Sequence, residues 1–344
     1  HIAVFDKEYW PKQIVTNGFV MSEGEKMSKR LGNIIPLVDG IISIGADPLR
    51  IVELTSADLF SDCEYSVKTV NGIKERLQFL SDMVDNIDGY ESAELTNVDY
   101  WLYSKLNRKI ELATKAMDVM ELRDAATEMF YNSIIEMRRY FERGGKNGLV
   151  LREYLQDVVL MLQPIAPHIS EELWHKLGNE TFSSLENWPA PDKSMINDKI
   201  EMEEKFLESL IEDINAASGL VTKKSGGKKP AKVTLIVASD WKRDALNTLA
   251  KTKNINETIN QIKERSSTNP DAIGKYVSKY AKEINKLSEV DVTEAEEYQL
   301  LKDSEGYLKN ILGVCVEVQK EGESKSARAE RSAPLKPSVE ISFL

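Results

Sequence analysis

Cysteine is almost absent from these 344 residues: only Cys63 and Cys315 occur. They stand too far apart for a Cys-x-x-Cys pair, which argues against both a disulfide framework and a cysteine-held zinc. Long apolar runs are missing as well. The longest, such as Val158-Val159-Leu160-Met161-Leu162, fall far below the roughly 20 residues needed to cross a bilayer. With no secretory leader at the start, the expected setting is cytoplasmic, without a membrane partner. An excess of positive charge is the third absence. The formal net charge is −11, which by itself would argue against a nucleic-acid partner. In a multidomain chain the sum misleads, because phosphate contact depends on local clusters of lysine and arginine.

What is present is ordinary for a soluble globular protein, with 42% hydrophobic and 29% charged residues. The length suits two or three domains, each with its own core. The stretch that organises the chain is Gly24-Glu25-Lys26-Met27-Ser28-Lys29-Arg30-Leu31-Gly32. Glycine at each end lets such a loop swing. Lys26 and Lys29 offer compact charges on flexible stems, and the Ser28 hydroxyl can donate to an oxygen, a set suited to phosphate. The plainer reading is a solvated basic cluster.

Resemblance weighs on that choice. Lys26-Met27-Ser28-Lys29-Arg30 is very close to the Lys-Met-Ser-Lys-Ser signature of class I aminoacyl-tRNA synthetases. Trp10-Pro11-Lys12 and Asn17-Gly18-Phe19-Val20 upstream resemble the leucyl enzymes of the archaeal and eukaryotic type. So do Gly32-Asn33-Ile34-Ile35-Pro36-Leu37, Gly45-Ala46-Asp47-Pro48-Leu49-Arg50, Ala57-Asp58-Leu59-Phe60-Ser61-Asp62-Cys63-Glu64, Arg143-Gly144-Gly145 and Pro164-Ile165-Ala166-Pro167-His168-Ile169-Ser170-Glu171-Glu172-Leu173-Trp174. The match is strong to about residue 178 and weak beyond, apart from Ala333-Pro334-Leu335-Lys336-Pro337. Arg30 departs from the signature by replacing a serine with a large cation. The family's His-x-Gly-His nucleotide motif does not occur around His1, His168 or His175. The chain therefore resembles the C-terminal part of such an enzyme, and its start at His1 fits a fragment, a processed product or half of a split enzyme.

Taken in order, residues 1–22 read as strands and connectors, with Ile2-Ala3-Val4-Phe5 and Gly18-Phe19-Val20-Met21 as the apolar runs. A short helix should close at Gly45, and another should start at Asp47-Pro48. Four amphipathic helices then follow. Their stripes are Ile73, Leu77, Leu80, Val84 and Ile87; Leu102, Leu106, Ile110, Ala113, Met117 and Met120; Ala126, Met129, Ser133, Met137 and Phe141; and Leu151, Leu155, Val158 and Leu162. Stripes of this kind bury only against one another, which predicts an antiparallel helix bundle with methionines as core filling. His168, Glu171, Glu172 and His175 share a face, but no third strong ligand is near. Ile169, Leu173, Trp174 and Leu177 describe a packed helix, with His168 and Glu171 tying its first turn to the bundle, so no protein-bound metal is expected.

Trp188-Pro189-Ala190-Pro191-Asp192 reads as a linker. Beyond it come a helix through Phe206, Leu210, Ile214 and Ala217, and a basic loop with Lys223, Lys224, Lys228 and Lys229. That loop is either a nucleic-acid contact or a solvated connector. A buried strand at Val233–Val237 leads to a helix capped by Ser239-Asp240. Further helices are predicted near 255–265, 270–287 and 294–311, and closing strands at Val314–Val318 and Val339–Phe343. Lys320–Arg331 reads as a mobile loop. The expected fold is mainly α with an α+β C-terminal domain: the end of a catalytic domain over 1–68, a helix bundle of the anticodon-binding type over 69–190, and a small α+β domain over 198–344.

The resemblance implies a leucine–tRNA ligase in which Lys26, Ser28 and Lys29 act on ATP, with Met27 and Arg30 completing the ATP and pyrophosphate loop. ATP would come with Mg2+. Leucine and ATP would otherwise be held by the missing N-terminal half, and the complete enzyme would be a monomer, or the two halves would associate if split. Arg138, Arg139, Arg143 and Lys146 form either a phosphate patch for tRNA(Leu) or a solvated helix end. A non-catalytic tRNA-binding piece and a valyl or isoleucyl sibling are the alternatives.

Overall fold

In the computed structural model, residues 4–12, 14, 16, 18–58, 60–282 and 289–343 are described. Ile2-Ala3, the end of the helix expected to reach 287 and the side chain of Lys224 lie outside these. Val4 and Phe5 form a turn and a bend rather than a strand. By internal contacts the chain divides into His1–Glu201 and Met202–Leu344.

The first unit opens with a small sheet. Strand β1 (Val20–Ser22) pairs antiparallel with β2 (Glu25–Lys26) and parallel with β3 (Cys63–Tyr65). Glu23 and Gly24, at φ 50° and 81°, make the hairpin turn, so Gly24 closes a hairpin and the true loop is Met27–Gly32. β3 was not expected, because three residues are too few to display an alternation. Helix α1 (Leu37–Ile44) closes at Gly45, as the sequence suggests. Helix α2 (Ala46–Thr55) starts one residue earlier than the expected Asp47-Pro48 start. Asp47 is buried and does not cap its own helix. Its Oδ2 accepts from the Ile169 amide at 2.6 Å, in the first turn of α8 (Pro167–Lys176), where helices leave amides unpaired. Arg50 makes the complementary contact, donating to the carbonyls of Ile165 at 2.7 Å and Pro164 at 2.9 Å.

The bundle consists of α3 (Val67–Asp85), α4 (Asn97–Asp118), α5 (Leu122–Ala126), α6 (Ser133–Glu142), α7 (Gly148–Leu162) and α8. The predicted stripes are buried together, from Ile73 and Leu80 through Leu102, Ile110, Met129 and Met137 to Leu155 and Leu162. Met120 is an exception. It follows the end of α4 with φ 64° and is 45% exposed. The expected third helix is also interrupted, because Thr127–Asn132 is a π-helical turn between α5 and α6. The spare carbonyl of Glu128 accepts from the Lys109 ammonium at 3.1 Å. Lys109 is 1% exposed and pairs with Glu136 at 2.8 Å, and the Tyr154 hydroxyl donates to the same carboxylate at 2.8 Å.

In the second unit, β4 (Lys232–Val237) lies between β5 (Cys315–Lys320), parallel, and β6 (Ser338–Ser342), antiparallel. Its buried, β-branched sequence explains that central place. Helix α9 (Asp198–Lys224) packs Phe206, Leu210 and Ile214 on this core. Helices α10 (Asp240–Thr252), α11 (Ile255–Arg265) and α12 (Pro270–Ala281) form a separate cluster around Leu249, Ile262 and Ile273. The stretch expected as one helix over 294–311 is two, α13 (Glu294–Asp303) and α14 (Glu305–Leu312). Ser239 makes no side-chain cap on α10. Glu294 and Glu321 accept the Asp240 and Ser239 amides instead, at 3.1 and 2.9 Å. Lys320–Arg331 is not a plain loop: it holds two 3-10 turns, and the backbone that follows is fixed because Lys242 donates to the Glu330 and Ser332 carbonyls at 3.0 and 2.8 Å. Lys223 and Lys224 close α9 rather than join the loop, which begins at Ser225.

Candidate functional site

The Met27–Gly32 loop is held by one side chain. Asn33 accepts from the Ser28 amide at 2.9 Å and donates to the Lys26 carbonyl at 3.2 Å, closing the loop base like a clip. Ser28 shapes the interior, its Oγ accepting from the Leu31 amide at 3.2 Å. The hydroxyl proton stays available to an incoming oxygen. Met27 is half-buried and anchors the loop on the bundle core, while its amide donates to the Val20 carbonyl at 3.3 Å.

The cations are then left outside. Lys29 and Arg30 are exposed and form no ion pair among the described residues. The Lys26 ammonium stands over the Phe19 ring, 3.3 Å from its centroid, a cation–π contact that holds charge without neutralising it. Phe19 is itself placed by Asp62, which accepts its amide at 2.7 Å. At the far end Gly32 has φ 69°, a backbone that glycine adopts without strain.

Neither Phe19 nor Asn33 was singled out from the sequence for these tasks. An asparagine directly after the loop's closing glycine is the signal that could have marked the clip.

The expected arginine patch is only partly on the surface. Arg138 and Lys146 are exposed and Arg143 is half-buried. Arg138 lies over the Phe79 ring at 4.9 Å. Arg139 departs from the expectation: at 8% exposed it faces the bundle interior on the side of α6 shared with Glu136 and Tyr140. The segment carrying Arg143 and Lys146 is fixed by its neighbours. The Asn147 amide donates to the Tyr140 hydroxyl at 2.9 Å, and Tyr140 donates to Asp99 at 2.5 Å. Lys223, Lys228 and Lys229 are exposed.

On the α8 face, Glu171 accepts from the Ser183 amide and hydroxyl at 3.0 and 2.6 Å and pairs with His175 at 3.0 Å. His168 is exposed, so it does not secure the first turn as expected. Asp47 does that. Among the described residues no group of three or more His, Cys, Asp or Glu could hold a metal ion.

Two family models match parts of this chain. The family model for the anticodon-binding domain of tRNA ligase matches residues 99–235, and that for class I tRNA synthetases (M) matches residues 3–86. The leucine–tRNA ligase of Pyrococcus abyssi is 33% identical over 99% of this chain, and that of Methanocaldococcus jannaschii 31% over 98%. The chain belongs to the leucyl family of class I aminoacyl-tRNA synthetases. It spans 35% of the length of each of these two relatives. A solved LeuRS–tRNA–LeuAMS complex from Agrobacterium radiobacter K84 overlaps 65% of this chain and 25% of its own at TM-score 0.46 and 19% identity, too distant to bear on the fold. Within this leucyl-type synthetase chain, the lysine loop and α3 fall in the class I match, and the anticodon-binding match runs from the first turn of α4 through α9 into β4.

Proposed function

We propose that the chain supplies the lysine loop and the tRNA-contacting helices of a leucine–tRNA ligase. The reaction has two stages. Leucine attacks the α-phosphorus of ATP to give leucyl-adenylate and pyrophosphate, and the leucyl group then passes to the terminal adenosine of tRNA(Leu). The loop serves the first. As the α–β bridge breaks, negative charge grows on the departing pyrophosphate, and cations that meet it there lower the barrier. Lys29 is the main such group, with Lys26 and the Ser28 hydroxyl assisting, Met27 and Arg30 completing the loop, and Gly32 as the hinge at its far end. Mg2+ would arrive with the ATP phosphates.

The observation that carries this reading is that Lys29 is exposed, and without an ion pair among the described residues, on a loop whose base is clipped by Asn33. A charge already neutralised by a carboxylate would have little left for pyrophosphate. Arg138, Arg143 and Lys146, with Lys223, Lys224, Lys228 and Lys229, serve the tRNA backbone, as phosphate contacts position an RNA without reading its sequence. Arg139 is left out because burial removes it from that surface.

The test uses an enzyme completed to the full length of its relatives. Lys29→Ala should slow leucine-dependent ATP–pyrophosphate exchange by about 100- to 1,000-fold while leucine affinity changes little. Exchange at the parental rate would remove the loop from catalysis.

A further inference from the structure

The second unit holds a pocket that the lysine loop and the arginine patch do not use. It holds about 330 Å³ and is lined by Trp241 and Lys242 of α10, Tyr276, Lys275 and Lys279 of α12, and two carboxylates beside the sheet, Glu321 and the exposed Glu330. That is enough room for a nucleobase with its sugar, near the lower end of ordinary ligand sites. One wall is aromatic: the Trp241 and Tyr276 rings meet edge to face at 5.3 Å. Tyr276 is 7% exposed, and its hydroxyl has no hydrogen-bond partner among the described residues. The Tyr280 ring, 4.9 Å away, does not supply one with hydrogen-bond geometry.

The floor carries little free charge. Lys242 is 2% exposed and paired with Glu321 at 2.7 Å. The rim is different. Lys275, Lys279 and Lys282 recur at i, i+4 and i+7 along one face of α12 and its cap, all exposed and without ion pairs among the described residues. An aromatic slot with lysines along its α12 edge, Glu330 standing on the opposite side, fits a flat base whose phosphate lies toward α12, the combination by which proteins hold single-stranded RNA.

We propose that this pocket takes one unstacked nucleotide of the bound tRNA, its base against Trp241 and its phosphates on Lys275 and Lys279. This deepens the tRNA-binding reading above and rests on it. The acidic balance of the chain makes the ridge more telling, since three exposed lysines at helical spacing, without ion pairs among the described residues, stand out against −11.

Two variants of the full chain separate the inference from its parent reading. Trp241→Ala should weaken binding of a tRNA(Leu) transcript about tenfold. Lys275→Glu with Lys279→Glu, which changes only exposed side chains, should weaken it further and reduce the dependence of log affinity on log salt by about two. Thermal melting should be unchanged in the lysine variant, and ultraviolet crosslinking of a thiouridine-bearing transcript should reach α10 or α12. Parental affinity in the lysine variant, with the wild type binding well, would overturn the pocket and leave the tRNA reading standing. No binding by the wild type would overturn the tRNA reading itself. A pocket that binds adenosine or cytidine monophosphate by saturation-transfer NMR, but shows no crosslink and no loss of tRNA affinity on charge reversal, would be a site for free nucleotides and would refute RNA as its occupant.

Discussion

The helix bundle and the lysine loop belong to one unit yet treat charge in opposite ways. Inside the bundle the most deeply buried charges described are matched: Lys109 answers Glu136 and the Glu128 carbonyl, and Asp99 takes the Thr96 amide, its hydroxyl and the Tyr140 phenol. On the loop Lys29 and Arg30 are matched by nothing described, and Asn33 and Ser28 tie the loop through its backbone rather than through its cations. Burial explains the difference. An unpaired charge in a low-dielectric interior costs several kcal/mol, whereas in water it costs almost nothing and stays available to a ligand. The bundle uses ionic groups for position and the loop keeps them in reserve.

The contrast breaks most severely at Lys109. Replacing it with alanine takes from Glu136, in the core beside Tyr154, its ammonium at 2.8 Å and leaves Lys105 farther off at 3.5 Å. The expected loss is about 3–5 kcal/mol, read as a shift of the urea transition followed by the bundle tryptophans Trp101 and Trp174. If Lys109→Ala moved that transition no more than a surface lysine does, the buried network would not be holding the bundle.

A smaller effect comes from a bundle carboxyl that is poorly matched. Burial first, and then the neighbouring Glu153 charge, push the Asp157 carboxyl up to about 6 from an ordinary 3.8. The folded state therefore binds this proton more tightly than the unfolded chain does. Its contribution to stability is present below pH 4 and is lost as pH rises through about 6, a change of at most about 3 kcal/mol. Asp157→Asn should flatten the stability profile between pH 4 and 6. An identical slope in the variant would mean that Asp157 titrates normally.

How much of this was legible in the sequence follows the same division. The bundle stripes are periodic and repeated, so α3, α4, α7 and α8 could be read directly, as could the buried strand β4. Residues that depend on partners far along the chain could not. Asp47 reads as a local helix start and instead serves an amide 122 positions away. Arg139 reads as a surface cation beside Arg138, and nothing local marks that it lies on the side of α6 shared with Glu136 and Tyr140. The loop cations were legible as composition and as a family signature, but their pinning by Asn33 was not, because an asparagine's two hydrogen bonds leave no periodic trace.

That clip gives the finest test of the comparison. Asn33→Ala removes an acceptor for the Ser28 amide and a donor to the Lys26 carbonyl, both at a partly exposed site, so the expected cost is only about 1 kcal/mol. The cost should fall on the loop alone, because the Val20–Lys26 hairpin keeps its own pairing and Met27 stays on the core. Hydrogen exchange at Met27–Gly32 should quicken about fivefold while the bundle amides and the urea midpoint keep their values. In a completed enzyme the same variant should lower pyrophosphate exchange less than Lys29→Ala does, since the cations remain and only their placement loosens. A loss equal to that of Lys29→Ala would mean that loop position, and not loop charge, limits the reaction.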